Sequence, residues 1–218
     1  FISHVRELKP KIFIAENVRG LAFERNKKYL TSVIKKFQEL GYTVEYSVIK
    51  MSNYEVPQNR ERLFIIGYNG SYKLPEHSNK SFTVRNALGE FASEAPSDGR
   101  YLSAREDEYI LSYEKKCKLI TPRDLHLDKP SRTLTCRNLA GSTADMIRLN
   151  MEDGRRRKIR VKEASRIQGF PDWFMFNENP NTAFNEIGQS VSPLFAKKLA
   201  ESVLYYLEKM SLGGDESD

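Results

Sequence analysis

The chain has 218 residues, with 35 Lys plus Arg against 29 Asp plus Glu and a formal net charge of +6. A hydrophobic content of 39%, with 12 Phe and 11 Tyr, is enough to bury a core and excludes a chain disordered throughout. No apolar run approaches about 18 residues, which excludes a membrane-spanning helix. Two cysteines, Cys117 and Cys136, supply neither a disulfide framework nor a zinc-ligand spacing, so no metal site is expected and a reducing, cytoplasmic setting is. The modest basic surplus permits a polyanionic partner.

The sequence opens on Phe1 in mid-phrase, and FISHVRELKPKIFIA reads as the end of a helix followed by a buried strand. A longer N-terminal part is therefore expected. Between about Glu24 and Leu40, the apolar residues Leu30, Val33, Ile34, Phe37 and Leu40 recur at helical spacing, with Gly41 as the stop. YTVEYSVIK alternates as a strand. RLFIIGY is more apolar, as a buried strand of parallel type would be, and the group predicts an α/β layer. From about Asn69 to Gly154 the composition turns to Ser, Asn, Asp and Gly. The stretch reads as a small insert, with one helix opened by the capping box Ser103 to Glu106. VKEASRIQGF predicts a short amphipathic helix stopped at Gly169, in which Glu163 and Arg166 stand three apart and can pair. In the next phrase Phe170, Trp173 and Phe174 read as packing residues. Ser192 is expected to cap a last helix with Pro193 at its first position. An apolar face of Ala196, Leu199, Ala200, Val203, Leu204 and Leu207 would pack on the α/β layer, and a frayed tail follows Leu212.

Four phrases stand in order: ENV from Glu16 to Val18, VPQNRERLFIIG from Val56 to Gly67, EASRIQGFPDWF from Glu163 to Phe174, and IGQSVSPLFAKKLA from Ile187 to Ala200. Together they resemble the DNA cytosine 5-methyltransferase family, over nearly the whole chain. The resemblance implies an α/β fold: a partial Rossmann-like S-adenosylmethionine-dependent methyltransferase domain with an inserted small target-recognition domain. On that plan residues 1–70 belong to the catalytic domain and 71–157 to the recognition domain. Residues 158–212 form the hinge and a C-terminal helix returning to the catalytic domain, and 213–218 are tail.

The implied reaction is transfer of methyl from S-adenosylmethionine to carbon 5 of cytosine in duplex DNA, in a bacterial restriction-modification or orphan setting. Carbon 5 becomes nucleophilic only after a thiolate adds to carbon 6, pushing charge onto ring nitrogen 3. An acid that donates a proton there lowers the barrier. Glu16 follows the last apolar residue of a buried strand, where ligands of open α/β sheets sit. Arg60 and Arg62 are two apart on the approach to a strand and are expected on one face. By resemblance Arg62 contacts the flipped cytosine, Arg60 shapes its pocket and Gln58 holds the loop. Flipping itself costs a few kcal/mol, repaid by pocket contacts.

For the cofactor, the resemblance carries over Gln189, Ser190 and Val191. The family's usual Asn is replaced here by Gln189, whose amide is displaced by about one carbon–carbon bond. For DNA, Arg132, Thr133, Arg137 and Asn138 in PSRTLTCRN are the expected readers. The run GRRRKIR offers Arg155, Arg156 and Arg157 for phosphates, which supply affinity and register but no sequence choice. The family's nucleophile lies in a Pro-Cys-Gln phrase before ENV; only 15 residues precede Glu16 and none is Cys. Neither that phrase nor a glycine-rich cofactor loop is present, so the chain alone is expected to be inactive. A missing N-terminal segment or a partner subunit would carry the catalytic Cys. The alternatives are a non-catalytic recognition subunit and a transfer-RNA cytosine methyltransferase.

Overall fold

The computed structural model describes residues 1–93, 96, 99–118, 123–141 and 143–212; the expected frayed tail, with Gly213 and Gly214, lies outside them. In chain order the elements are α1 (Ile2–Leu8), β1 (Ile12–Val18), α2 (Lys27–Gln38), β2 (Thr43–Lys50), β3 (Gln58–Asn59) and β4 (Glu61–Tyr68). Then come α3 (Val84–Leu88), α4 (Ala104–Lys116), β5 (Ser131–Arg132), α5 (Cys136–Ala140), β6 (Arg148–Asn150) and β7 (Arg156–Lys158). The last are α6 (Val161–Gln168), α7 (Pro180–Gln189) and α8 (Pro193–Leu212). They fall into two compact units. Unit 1 holds Phe1–Lys50, Glu61–His77 and the chain from Ala196; unit 2 holds Met51–Arg60 and Ser78–Phe195.

In unit 1 the sheet order is β1–β4–β2, and β4 runs antiparallel to both neighbours. This corrects the parallel reading of RLFIIGY. A central strand is covered on both faces whichever way it runs, and Leu63 to Tyr68 are all buried, so the unbroken apolar run reported position in the sheet and not direction. Alternation along the strands sends Ala15, Leu63 and Ile65 to the side that packs with Leu30, Val33 and Ile34 of α2. Ile12, Ile14, Ile66 and Tyr68 go to the side that packs with Val203, Tyr206, Leu207 and Met210 of α8. The packing of α8 on this layer is as expected, but the stripe is rotated. Leu204 is 58% exposed and Ala200 is exposed, while Tyr206 is buried. Both stripes satisfy i, i+3, i+4 spacing; Tyr206 decides between them because its hydroxyl donates to the Asn69 carbonyl at 2.7 Å and accepts from the Asn69 amide at 3.1 Å. Helix α8 begins at Pro193 as read, but Ser192 does not cap it. Its hydroxyl is buried without a hydrogen-bond partner among the described residues.

The same layer carries an alkaline liability. Burial, reinforced by a 2.6 Å hydrogen bond donated to Glu45, pushes the Tyr68 hydroxyl up to about 12. The folded state therefore favours neutral Tyr68. Its contribution is complete below the unfolded value of about 10 and is lost as pH rises from there through about 12. Denaturation midpoints measured across that window should fall with pH, and Tyr68→Phe should flatten the fall; an unchanged slope in the variant rejects Tyr68 as its source.

Unit 2 is built from short elements fixed by caps. Thr83, Ser103 and Thr135 each close a reciprocal capping box with the residue three later, so the Ser103–Glu106 box is as expected. Strands β3 and β5 pair in parallel and β6 and β7 antiparallel, over a core that includes Leu88, Leu134, Ile147, Leu149, Ile167 and Ile187. Gly169 ends α6 at φ 91°, a left-handed position that suits glycine. Two side-chain expectations are corrected. Glu163 does not pair with Arg166: it faces Arg157, both fully buried, while Arg166 turns to Asp172. Phe170, Phe174 and Phe176 do stack on one another, with centroids 4.7–4.9 Å apart, but Trp173 is 77% exposed.

Candidate active site

In unit 1 the chemistry gathers on β1 and β4. Strand β1 continues past Glu16 to Val18, so Glu16 lies inside the strand and not beyond its end. Val18 is the register partner of Arg62, which puts Glu16 one diagonal step from the arginine on the same face. Arg62 Nε donates to Glu16 Oε1 at 3.0 Å, with the arginine side chain 15% and the carboxylate 31% exposed. Burial pushes the guanidinium down from its ordinary value and Glu16 pulls it back. Arg62 also donates to the Glu61 carbonyl at 2.9 Å, and Glu61 itself is held by Arg19. The site is thus a partly open acid with a fixed guanidinium beside it. Glu16 lies at the edge of a groove of about 670 Å³ whose walls include Ile14, Ala15, Leu21, Tyr29 and Val33.

Arg60 does not join that pair. The strand is interrupted at Arg60, between β3 and β4, so the alternation that would align it with Arg62 does not run through it. Arg60 is 1% exposed within unit 2, where it donates to three backbone carbonyls: Leu134 at 2.9 Å, Gly188 at 3.1 Å and Ser190 at 3.0 Å. Gln58, fully buried, accepts from the Leu134 amide at 2.9 Å and donates to Gln168 at 2.6 Å. Gln168 donates to the Ser190 carbonyl at 2.8 Å. Gln58, Arg60 and Gln168 therefore tie the Thr133–Leu134 segment to the turn after α7. Gln168 was not singled out in the sequence, where it is only the last residue before the Gly169 helix stop. The available signal is an uncharged amide beside Ile167 on the inward face of an amphipathic helix.

The turn after α7 tests the cofactor residues. Gly188 meets the start of α5 backbone to backbone, since a Cβ there would run into the Cys136 amide nitrogen. Ser190 is consumed internally: its carbonyl accepts from Arg60 and Gln168, and its hydroxyl donates to the Ile187 carbonyl at 2.8 Å. Ser190 fits as a turn former and not as a cofactor contact. Gln189 is exposed and Val191 is half-buried, and no hydrogen bond among the described residues engages the side chain of either.

The expected DNA contacts divide in the same way. Arg137 is exposed and Arg155 is exposed beside Asp153. Thr133 is half-buried and donates to the Asn59 carbonyl at 2.9 Å. Arg132 is held by Asp145 at 2.9 Å, and burial pushes its guanidinium down while Asp145 opposes this. Asn138 is 3% exposed and spends its amide on the Thr135 capping box and the Thr133 carbonyl. Arg156 pairs with Asp107 at 2.7 Å, and Arg157 is enclosed by Glu163. Asn138, Arg156 and Arg157 are corrected from surface contacts to internal supports. Of the cysteines, Cys117 ends α4 and Cys136 begins α5, both in unit 2.

The chain is 44% identical over 210 residues to the Type II methyltransferase M.AplI of Arthrospira platensis, covering 95% of this chain and 61% of the relative. It is 29% identical to the Type II methyltransferase M.MthTI of Methanothermobacter thermautotrophicus, covering 95% and 70%. Among solved structures, it shares the fold of the Entamoeba histolytica methyltransferase EhMeth, with a TM-score of 0.67 at 16% identity, covering 94% of this chain and 68% of that one. The Schizosaccharomyces pombe (S. pombe) Dnmt2 methyltransferase superimposes with a TM-score of 0.62 at 15% identity, covering 91% and 68%. Residues 1–204 match the family model of C-5 cytosine-specific DNA methylases, with Glu16, Arg60, Arg62 and the turn after α7 all inside the match, and the chain belongs to that family.

Proposed function

We propose that the enzyme carrying this chain transfers a methyl group to carbon 5 of cytosine in a specific duplex DNA sequence, as part of bacterial restriction-modification or of methylation without a cognate nuclease. The reading is carried by Glu16, a partly exposed carboxyl held 3.0 Å from Arg62 beside an open groove. In the proposed reaction Glu16 donates the proton to cytosine nitrogen 3 while Arg62 steadies the base oxygen and orients the acid. S-adenosylmethionine, bound in part by Gln189 and Val191, supplies the methyl group. The thiolate that adds to carbon 6 is not assigned to Cys117 or Cys136, which end and begin helices of unit 2. Two free thiols accord with a reducing, cytoplasmic setting. Residues 71–157 serve as the recognition domain in this scheme.

Glu16→Gln in that enzyme should lower turnover by about 10²-fold or more with DNA affinity nearly unchanged. Single-turnover methylation and a binding titration on the same duplex separate the two. Near-normal turnover removes Glu16 from the chemistry, and a parallel loss of affinity makes it a binding residue.

A further inference from the structure

Within unit 1 the strand that carries Glu16 ends at Val18, and the chain passes through two 3-10 turns, Arg19–Ala22 and Glu24–Asn26, before α2 begins at Lys27. The turns are pinned from inside. The Gly20 carbonyl accepts from the Asn26 side-chain amide at 2.6 Å and from the Phe23 backbone amide at 3.2 Å. This bracket stands on the rim of the Glu16 groove, which Leu21 and Tyr29 help to line.

The outer surface of the bracket mixes rings with cations. Phe23 is 42% and Tyr29 65% exposed, and Arg19, Arg25, Lys27 and Lys28 are all exposed. Two of the four cations are matched: Arg19 pairs with Glu61, and Lys27 meets Glu24 at 3.3 Å. Arg25 and Lys28 have no carboxylate partner among the described residues. Arg25 lies instead over the Phe23 ring at 5.9 Å, with Arg19 over the same ring at 5.4 Å, which limits their freedom before any ligand arrives. Among the described residues that line the groove, Glu16 is the one carboxylate.

A base that reaches Glu16 brings its own phosphates, so the strand that bears it must run across the rim of that groove. Flipping also uncovers neighbouring base faces, apolar surface that an aromatic ring can cover. We propose that the bracket holds the backbone of the DNA strand carrying the flipped cytosine, with Arg25 and Lys28 on its phosphates and Tyr29 against an uncovered face. The inference rests on the proposed DNA substrate and deepens it, by adding a phosphate contact at the catalytic acid to those expected of the recognition domain. Such contacts set affinity and register and leave sequence choice to other residues.

The test is fluorescence anisotropy of the enzyme carrying this chain, with a labelled duplex that contains the sequence it methylates, over a range of salt concentrations. Arg25→Gln combined with Lys28→Gln should weaken binding about tenfold at low salt and reduce the slope of log affinity against log salt by about 1.5. Lys35→Gln combined with Lys36→Gln, two exposed cations further along α2, should leave the slope unchanged. Matching thermal melts confirm that the variants remain folded. A second duplex with one uncharged methylphosphonate linkage beside the target cytosine should bind the parent more weakly and the Arg25, Lys28 variant as well as before. If that linkage weakens both alike, the two cations do not hold the target strand. If the parent binds and the variant keeps the parental slope, the bracket is plain surface while the DNA reading stands. If the parent itself shows no salt-dependent binding, the DNA reading and the bracket fall together. Preference for an RNA duplex of the same sequence overturns the choice of occupant.

Discussion

Arg60→Met should lower the free energy of unfolding by about 3–5 kcal/mol, read as an earlier midpoint in denaturant with an unchanged slope. The arginine is enclosed, and its two terminal nitrogens donate to Leu134, Gly188 and Ser190 carbonyls at 2.9–3.1 Å. Methionine fills the volume but donates nothing. Ser190 keeps one donor from Gln168, whereas Leu134 and Gly188 lose the one that Arg60 supplied. Arg60→Lys should recover only a small part of the loss, because one ammonium cannot reproduce a planar fork across three acceptors. The same variant separates two roles. A residue that merely lined a cytosine pocket would change activity and leave the midpoint in place, so a shift below about 1 kcal/mol would reject the clamp and return Arg60 to the pocket.

How much of this was legible follows from the range of the interactions. Elements written by local rules were readable: the Ser103 box, the Gly169 stop, the α2 stripe and the apolar run of β4 each depend on residues a few positions apart. What failed depends on partners distant in sequence. The direction of β4 is set by pairing with β1 and β2, and an apolar run is the same read either way. The basic run reads as exposed because five cations in seven residues normally face water. Yet Arg156 finds Asp107 49 positions away. The nearby Arg148 finds Glu114 34 positions away. No spacing rule connects such pairs.

The candidate site shows the same division. Glu16 and Arg62 were found because their phrases are specific, and their partnership follows from a strand register that places Val18 opposite Arg62. Arg60 was assigned a shared face with Arg62 by counting in twos, which holds only along an unbroken strand. The interruption between Asn59 and Glu61 leaves no trace in the residue types, since PQNRER contains no glycine to mark it. Gln168 and Ser190 were legible as motif letters and illegible as partners: their hydrogen bonds to Gln58 and Arg60 span more than 100 residues.

Glu163→Gln should destabilise the protein by about 3–5 kcal/mol, because it leaves a buried guanidinium without its charge partner. Glu163 and Arg157 are both 0% exposed and meet as a two-pronged pair, Nη1 to Oε2 at 2.9 Å and Nη2 to Oε1 at 2.8 Å. The carboxylate also accepts from the Arg160 amide at 2.8 Å, so one side chain neutralises the arginine and caps α6. The amide of Gln can keep the cap through its oxygen but turns a donor toward the guanidinium. The informative comparison is the double variant Arg157→Met with Glu163→Met. Breaking a buried pair strands one charge, whereas replacing both partners by apolar groups strands none. The double variant should therefore lie nearer the parent than Glu163→Gln does. Some loss remains, because Arg157 also donates to the Phe91 carbonyl at 3.1 Å and the Arg160 amide loses its acceptor. Denaturation midpoints for the parent, both single methionine variants and the double variant give the coupling energy directly. If the double variant falls as far as the two singles added together, Arg157 and Glu163 act independently.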